Sequence, residues 1–333
     1  MKLSVIGGGA WGTTMAQVLR DNNHEVLIYE INESYVDAIN NKHIHPIFNN
    51  TLDADIKATT DLKKAIEFSD TYILAVPTAA MRIVLKSMNE FINRPSRFIN
   101  ISKGIEPQTL KRVSEIVEDE IDHENNNGFV CLTGPSHAEE VIDRKLTLLT
   151  SASNNKNFAI EVQELVSNST YIRTYTLDDL IGAEVGGAVK NAIAVISGAA
   201  AGYGLGENAR AAIITRGILE ILKVVEIMGG KKETVFGLTG IGDLIVTASS
   251  EQSRNFQGGR KIGMGMTKDE IYKNSTQTIE GFRTIYALND LSKKYGVELP
   301  MINTAFDILE NNISIKEGIK QLLSRDLKPE TLE

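Results

Sequence analysis

Lys190 lies in the run Gly186-Gly187-Ala188-Val189-Lys190-Asn191, inside a segment that is apolar on nearly every side. Burial strips an ammonium of its water and favours the neutral amine, which makes such a lysine a candidate acid/base near neutral pH. A buried lysine needs a partner, and the glycine-rich turn Gly237-Leu238-Thr239-Gly240-Ile241-Gly242-Asp243 offers Asp243. Lys103, in Asn100-Ile101-Ser102-Lys103-Gly104, and the segment Gly134-Pro135-Ser136-His137-Ala138 each follow directly on an aliphatic run of strand character. Ligands bind at the carboxyl ends of parallel strands, so both segments are expected on such a rim. Ser253-Arg254-Asn255 sets a fork-shaped cation between two hydrogen-bonding side chains, a combination suited to a phosphate. Together these residues suit acid/base chemistry on a small phosphorylated substrate, with Lys190 exchanging the proton while Lys103 and Arg254 offset negative charge.

A dinucleotide-binding loop is announced at the N-terminus. Gly7, Gly9 and Gly12 form a G-x-G-x-x-G loop after the run 3–6 and before a helical pattern containing Met15, Val18 and Leu19. In that setting the first glycine makes the turn, the second admits a pyrophosphate and the third packs the helix on the strand. The helix N-terminus then holds the anion. Glu30, at the end of the second strand, is placed to accept hydrogen bonds from a ribose. Glu30 and Glu33 would repel a 2′-phosphate, and no Arg or Lys intervenes before Val36, so NAD is expected over NADP. Each assignment has a plainer rival: a solvated charge for Glu30, a snorkelling stem for Lys190, a structural turn at Gly134, and solvated surface for Ser253-Arg254-Asn255.

These residues must be carried by elements, and the chain changes character part-way. Strand-like runs at 2–6, 25–29, 56–59, 71–76, 97–101, 129–133, 147–150 and 170–174 alternate with amphipathic segments, the signature of a parallel βαβ sheet. Segments 40–50 and 123–127 are expected to be loops. From Leu177 onward long helical patterns dominate. The expected fold is α/β: a doubly wound Rossmann sheet over 1–176, followed by an all-helical substrate-binding and catalytic domain over 177–333. Segments 177–201 and 209–228 are apolar nearly all round and should form the helical centre. Gly182, Gly186, Gly187 and Gly198 weaken such a helix unless close helix crossings require them.

Composition narrows the partners. The 333 residues carry a net charge of −8, which disfavours nucleic acid and anionic membranes, so a phosphorylated small molecule needs a local cationic pocket. The apolar stretch 193–201 is too short to span a bilayer, so no membrane insertion is expected. The single Cys131 sits in a buried-strand pattern, and the strand character of the first residues leaves no room for a secretion signal, so a cytoplasmic location is expected. His43 and His45 form an H-x-H without a third ligand and read as loop surface rather than metal, so no metal is expected. His137 is a weaker candidate base than Lys190.

In order along the chain, Gly7-Gly8-Gly9-Ala10-Trp11-Gly12-Thr13, Val76-Pro77-Thr78, Ser102-Lys103-Gly104, Gly134-Pro135-Ser136, Gly186-Gly187-Ala188-Val189-Lys190-Asn191, Gly240-Ile241-Gly242-Asp243-Leu244, Ser253-Arg254-Asn255 and Glu280-Gly281 resemble the NAD(P)-dependent glycerol-3-phosphate dehydrogenase family. The resemblance implies interconversion of dihydroxyacetone phosphate and sn-glycerol 3-phosphate for phospholipid synthesis, and a homodimer. It implies Lys190 as acid/base assisted by Asp243 and Lys103. It also implies a substrate site of Lys103, Gly134, Ser136, Lys190, Asn191, Thr247, Ser253, Arg254 and Asn255. The implied cofactor contacts are Gly7, Gly9, Ala10, Trp11, Gly12, Glu30, Pro77, Lys103, Ala138, Arg254 and Glu280. Bacterial members often carry a basic residue after the second strand, where this chain has Glu30-Ile31-Asn32; NADP use is possible by resemblance. A β-hydroxyacid or 6-phosphogluconate dehydrogenase would pair the helix lysine with an Asn four residues on, but that position is Ala194. A non-catalytic NADH sensor is the reading from a different class.

Overall fold

The computed structural model describes residues 1–273, 279–311 and 313–330. It contains two compact units, one of residues 1–103 and 111–184, the other of residues 104–110 and those from 185 onward. The eight strands of the first are β1 (Lys2–Ile6), β2 (Glu25–Tyr29), β3 (Lys57–Thr59), β4 (Thr71–Leu74), β5 (Ser96–Asn100), β6 (Asn126–Thr133), β7 (Thr147–Ala152) and β8 (Ile172–Leu177). Its helices are α1 (Ala10–Asp21), α2 (Glu33–Asp37), α3 (Leu62–Phe68), α4 (Thr78–Asn89), α5 (Val113–Glu120), α6 (Ala138–Ile142) and α7 (Lys156–Val166).

The strands form one sheet in the order β3-β2-β1-β4-β5-β6-β7-β8. Its first six members follow the doubly wound 3-2-1-4-5-6 order and are mutually parallel. Both faces of this region are covered, which is why its strands are apolar runs rather than alternating ones. Leu3, Val5, Ile73 and Ile99 pack with Met15 and Val18 on one face, while Ile6, Leu74 and Phe98 pack with Met81 and Leu85 on the other.

Two expectations need correction here. The sheet is not parallel throughout, because β7 runs antiparallel to β6 and β8 follows β7. Between Thr133 and Thr147 the only helix is α6, of 5 residues, which is too short to carry the chain back along the sheet before a parallel return. Segments 40–50 and 123–127 are not wholly loop: a π-helical turn occupies Ala38–Lys42, and β6 begins at Asn126.

The second unit is helical: α8 (Leu180–Tyr203, entering it at residue 185), α9 (Gly206–Ile227), α10 (Lys232–Val235), α11 (Asp243–Ser249), α12 (Arg254–Gly263), α13 (Lys268–Lys273), α14 (Glu280–Tyr295), α15 (Pro300–Glu310) and α16 (Ile315–Leu323). By length and composition α8 could cross a membrane, a longer apolar stretch than 193–201 suggested, but 89% of its apolar window is buried inside the fold. Its glycines are explained by close crossings. A Cβ on Gly198 would lie 2.0 Å from the Phe256 carbonyl oxygen, and one on Gly259 would lie 1.9 Å from that of Val195. The backbones of α8 and α12 therefore touch, which offsets the low helix propensity of glycine.

Candidate active site

Lys190 and Asp243 meet within the helical unit. The Lys190 side chain is 6% exposed and that of Asp243 1%, with Nζ 2.9 Å from Oδ1. Nζ also donates to Thr247 Oγ1 at 2.6 Å, and that hydroxyl donates to the Asp243 carbonyl at 2.7 Å. Asp243 and Thr247 stand one turn apart on α11, so both reach the same face. The expected glycine-rich turn before Asp243 is a π-helical turn, Leu238–Gly242. A Cβ on Gly240 would lie 2.0 Å from the Val235 carbonyl oxygen, and one on Gly186 would lie 3.1 Å from that of Thr239. Small residues on both sides thus let this turn settle against α8 and aim Asp243 at Lys190. The snorkelling alternative for Lys190 does not hold.

Asn255 links three helices. Its Nδ2 donates to Asn191 Oδ1 at 2.8 Å, and its Oδ1 accepts from the Gly281 N–H at 2.9 Å. Asn191 is thereby held one residue beyond Lys190. A Cβ on Gly281 would lie 2.4 Å from the Asn191 carbonyl oxygen, so only glycine allows α14 to start there. Ser253 caps α12, its hydroxyl accepting from the Phe256 N–H at 3.2 Å. Arg254 follows at the first helical position and is exposed. Glu280 opens α14; burial pushes its carboxyl pKa up, while Arg283 and Arg254 oppose the rise. Its Oε1 is buried with no hydrogen-bond partner among the described residues, an acceptor that lacks a donor.

The sheet unit holds the other predicted residues. Gly7 adopts φ +111°, where a Cβ would lie 2.9 Å from the Ala75 carbonyl oxygen, and a Cβ on Gly12 would lie 1.9 Å from that of Gly7. Gly9 differs: no atom lies within 4 Å of its would-be Cβ, so its surface is open to a ligand. The first intrahelical donor of α1 is Thr13 N, bonded to the Gly9 carbonyl at 3.0 Å, so the N–H groups of Ala10, Trp11 and Gly12 precede the ladder. This is the cradle a pyrophosphate requires. Glu30 closes one side of the loop, Oε2 accepting from Gly8 N at 2.8 Å and Oε1 from Asn32 N at 2.9 Å. It is therefore a fixed carboxylate rather than a free strand-end charge.

Lys103, Gly134 and Ser136 come together as expected. Lys103 Nζ donates to the Gly134 carbonyl at 3.1 Å, and Ser136 Oγ to the same oxygen at 3.0 Å. Gly134, at φ +140°, leaves room only for a hydrogen, since a Cβ would lie 2.9 Å from the Leu148 carbonyl oxygen. Pro77 caps α4, Ala138 begins α6 and His137 is the residue before it. His45 was misread. It is fully buried, not loop surface, and approaches Ala10 in the glycine loop. Another group missed in the sequence is Glu184, buried and bonded to Arg112 at 2.8 Å and to Ser114 Oγ at 2.6 Å. Only a long-range contact identifies it, since 70 residues separate Glu184 from Ser114.

Comparison with known proteins decides the lineage. Residues 2–159 match the model for the NAD-dependent glycerol-3-phosphate dehydrogenase N-terminus, and residues 179–320 that for its C-terminus. The chain belongs to this family. A glycerol-3-phosphate dehydrogenase (NAD(P)+) of Acholeplasma laidlawii (strain PG-8A) is 59% identical over 332 residues, covering 100% of both chains. One from Staphylococcus epidermidis (strain ATCC 12228 / FDA PCI 1200) is 43% identical over 331 residues, covering 99% of each. The crystal structure of glycerol-3-phosphate dehydrogenase from Coxiella burnetii superposes with a TM-score of 0.91 at 32% identity, covering 97% of this chain and 99% of that one. The chain is thus an NAD(P)-dependent oxidoreductase of the glycerol-3-phosphate dehydrogenase family.

Proposed function

We propose that this dehydrogenase works in the cytoplasm as a homodimer, prefers NADH, and reduces dihydroxyacetone phosphate to sn-glycerol 3-phosphate for glycerophospholipid synthesis. The observation that carries the assignment of roles is the buried Lys190–Asp243–Thr247 cluster. The apolar helix α8 would not otherwise hold an ammonium, nor α11 a buried carboxylate facing it, because desolvating each charge is costly. The bound nicotinamide supplies the hydride. Lys190 Nζ donates the proton that the substrate's C2 oxygen acquires, and Asp243 and Thr247 fix where that proton sits. Lys103, Gly134, Ser136, Lys190, Asn191 and Thr247 belong with the substrate, and Ser253, Arg254 and Asn255 with its phosphate. Of these, Ser253 acts by capping the helix that presents Arg254.

For the cofactor, Gly7, Gly9, Ala10, Trp11 and Gly12 form the pyrophosphate cradle, and Glu30 accepts from the ribose. Pro77, Lys103, Ala138, Arg254 and Glu280 complete the set, with the orphaned Glu280 oxygen supporting its assignment to a ligand donor. We place the division of labour at 1–176 for the dinucleotide and 177–333 for substrate and catalysis. Supporting the NAD preference, both oxygens of Glu30 are already held by backbone N–H groups, so a 2′-phosphate would meet a fixed negative charge. The decisive assay follows NADH and NADPH oxidation with dihydroxyacetone phosphate against unphosphorylated ketones. Lys190→Ala is expected to lose about 10²–10⁴-fold in kcat with NADH affinity retained. Glu30→Ala is expected to narrow the NADH-over-NADPH ratio in kcat/KM at least about tenfold, as loss of a charged hydrogen bond allows. Wild-type turnover in Lys190→Ala, or a native preference for NADPH, overturns the corresponding assignment.

A further inference from the structure

His45 lies outside the machinery assigned above, yet it makes hydrogen bonds from both ring nitrogens and is fully buried. Its Nδ1 accepts from the backbone N–H groups of Ile47 at 3.2 Å and Phe48 at 3.3 Å. Its Nε2 lies 3.0 Å from the Ala10 carbonyl oxygen and 3.3 Å from Thr14 Oγ1. A carbonyl only accepts and an amide N–H only donates, so these partners allow one tautomer: neutral, with the proton on Nε2. The Phe48 ring stacks on the imidazole at a centroid distance of 4.5 Å. Burial pulls the His45 pKa down to about 4, so this tautomer holds at neutral pH.

The segment bearing His45 is itself pinned. Ile44 pairs with Thr51, His45 N bonds the Asn50 carbonyl at 2.7 Å, and Leu52 N bonds the His43 carbonyl at 2.8 Å. The imidazole therefore reaches α1 from a fixed base. Its target, the Ala10 carbonyl, belongs to the same planar peptide unit as the Trp11 N–H. That N–H is one of the donors left free of the helical ladder at the pyrophosphate cradle. A hydrogen bond on the oxygen of a peptide unit fixes its plane and polarises the N–H at its other end. Thr14 Oγ1 also donates to this carbonyl at 2.8 Å, so His45 and Thr14 act on an oxygen that already opens the α1 ladder.

We infer that His45 is a positioning residue for the dinucleotide, holding the Ala10–Trp11 peptide so that the Trp11 N–H is aimed at the pyrophosphate. The inference rests on the reading of the glycine loop as the pyrophosphate site. His45 touches no reacting atom, so its effect falls on cofactor affinity and leaves the chemical step unchanged.

The test uses the intact enzyme and three variants, with NADH, ADP-ribose and adenosine as probes. His45→Asn keeps an acceptor for the Ile47 and Phe48 N–H groups but does not reach Ala10, whereas His45→Gln returns an N–H to the Nε2 position. His45→Asn is expected to bind NADH and ADP-ribose about five- to tenfold more weakly, the range of one net hydrogen bond. Its affinity for adenosine, which lacks the pyrophosphate, and its kcat at saturating NADH should be unchanged. His45→Gln should recover NADH affinity to within about twofold of the wild type. Wild-type NADH affinity in His45→Asn overturns the inference, as does equal impairment of the Asn and Gln variants or parallel weakening of adenosine. Gly9→Val separates the underlying reading, because its Cβ enters space that no other part of the protein occupies within 4 Å. If Gly9→Val binds NADH normally, the pyrophosphate site is misplaced; if it does not while His45→Asn binds normally, only the role of His45 falls.

Discussion

Removing either charge of the Lys190–Asp243 pair should separate stability from catalysis. Both side chains are almost wholly buried and 2.9 Å apart, so each neutralises the desolvation of the other. Lys190→Met keeps the stem and deletes the ammonium, leaving a carboxylate in an apolar helix contact; Asp243→Asn leaves the converse. Breaking a buried pair from one side costs about 3–5 kcal/mol, whereas removing both charges is often close to neutral. For a body of about 150 residues each kcal/mol moves the melting temperature by about 2–4 °C, so each single variant should melt about 6–20 °C lower. The double variant should recover most of that loss, giving a coupling of at least about 2 kcal/mol. Activity should not recover with it: all three variants lose the proton donor or its positioning partner and should fall about 10²–10⁴-fold in kcat. Calorimetry paired with an NADH-oxidation assay measures both. Additive destabilisation would show that the charges do not depend on each other, and retained kcat in Lys190→Met would remove Lys190 from the chemistry.

Other consequences follow from particular contacts. Glu220 is buried under the start of α15, accepting from Met301 N at 2.7 Å and Ile302 N at 3.2 Å, and burial raises its pKa to about 7. The folded state then binds the proton more tightly than the unfolded chain, so stability falls as pH rises from about 4.5 through about 7. Glu220→Gln should flatten that slope, while losing one of the two backbone bonds because an amide nitrogen cannot accept; a slope as steep as the wild type's would refute the assignment. Gly259→Ala drives a methyl to 1.9 Å from the Val195 carbonyl oxygen, so a loss of about 1–3 kcal/mol or more is expected in urea unfolding. An unchanged midpoint would mean that α8 and α12 can separate freely. Arg254→Ala should raise KM for dihydroxyacetone phosphate about 10–100-fold, the worth of a charged hydrogen bond, with a smaller effect on NADH; unchanged substrate KM would take Arg254 out of the phosphate site.

Local patterns in the sequence are enough to locate the glycine loop, Glu30, all eight strands and the lysine stranded in an apolar helix. These signals are local: a glycine where the chain must turn, an apolar run where both faces are covered, a charge where none is tolerated. Pairing Lys190 with Asp243 was also legible, because a buried charge requires a partner and Asp243 follows a turn rich in glycine. The alternation read as parallel missed the direction of β7, since strand-like residues look the same in parallel and antiparallel pairs. The short α6 decides that direction in three dimensions.

His45 shows the other side of the division. A histidine in a polar stretch carries no local sign of burial, and its partner Ala10 lies 35 residues away in the chain. Glu184 and the glycines of α12 are similar cases, whose roles depend on what packs against them. Residue types and spacing pointed to a dinucleotide loop and to a set of candidate polar side chains, and the ordered motifs pointed to the family. Only the tertiary structure decided which side chains are held, by what, and in which protonation state, because hydrogen bonding and desolvation depend on neighbours that the order of residues does not bring together.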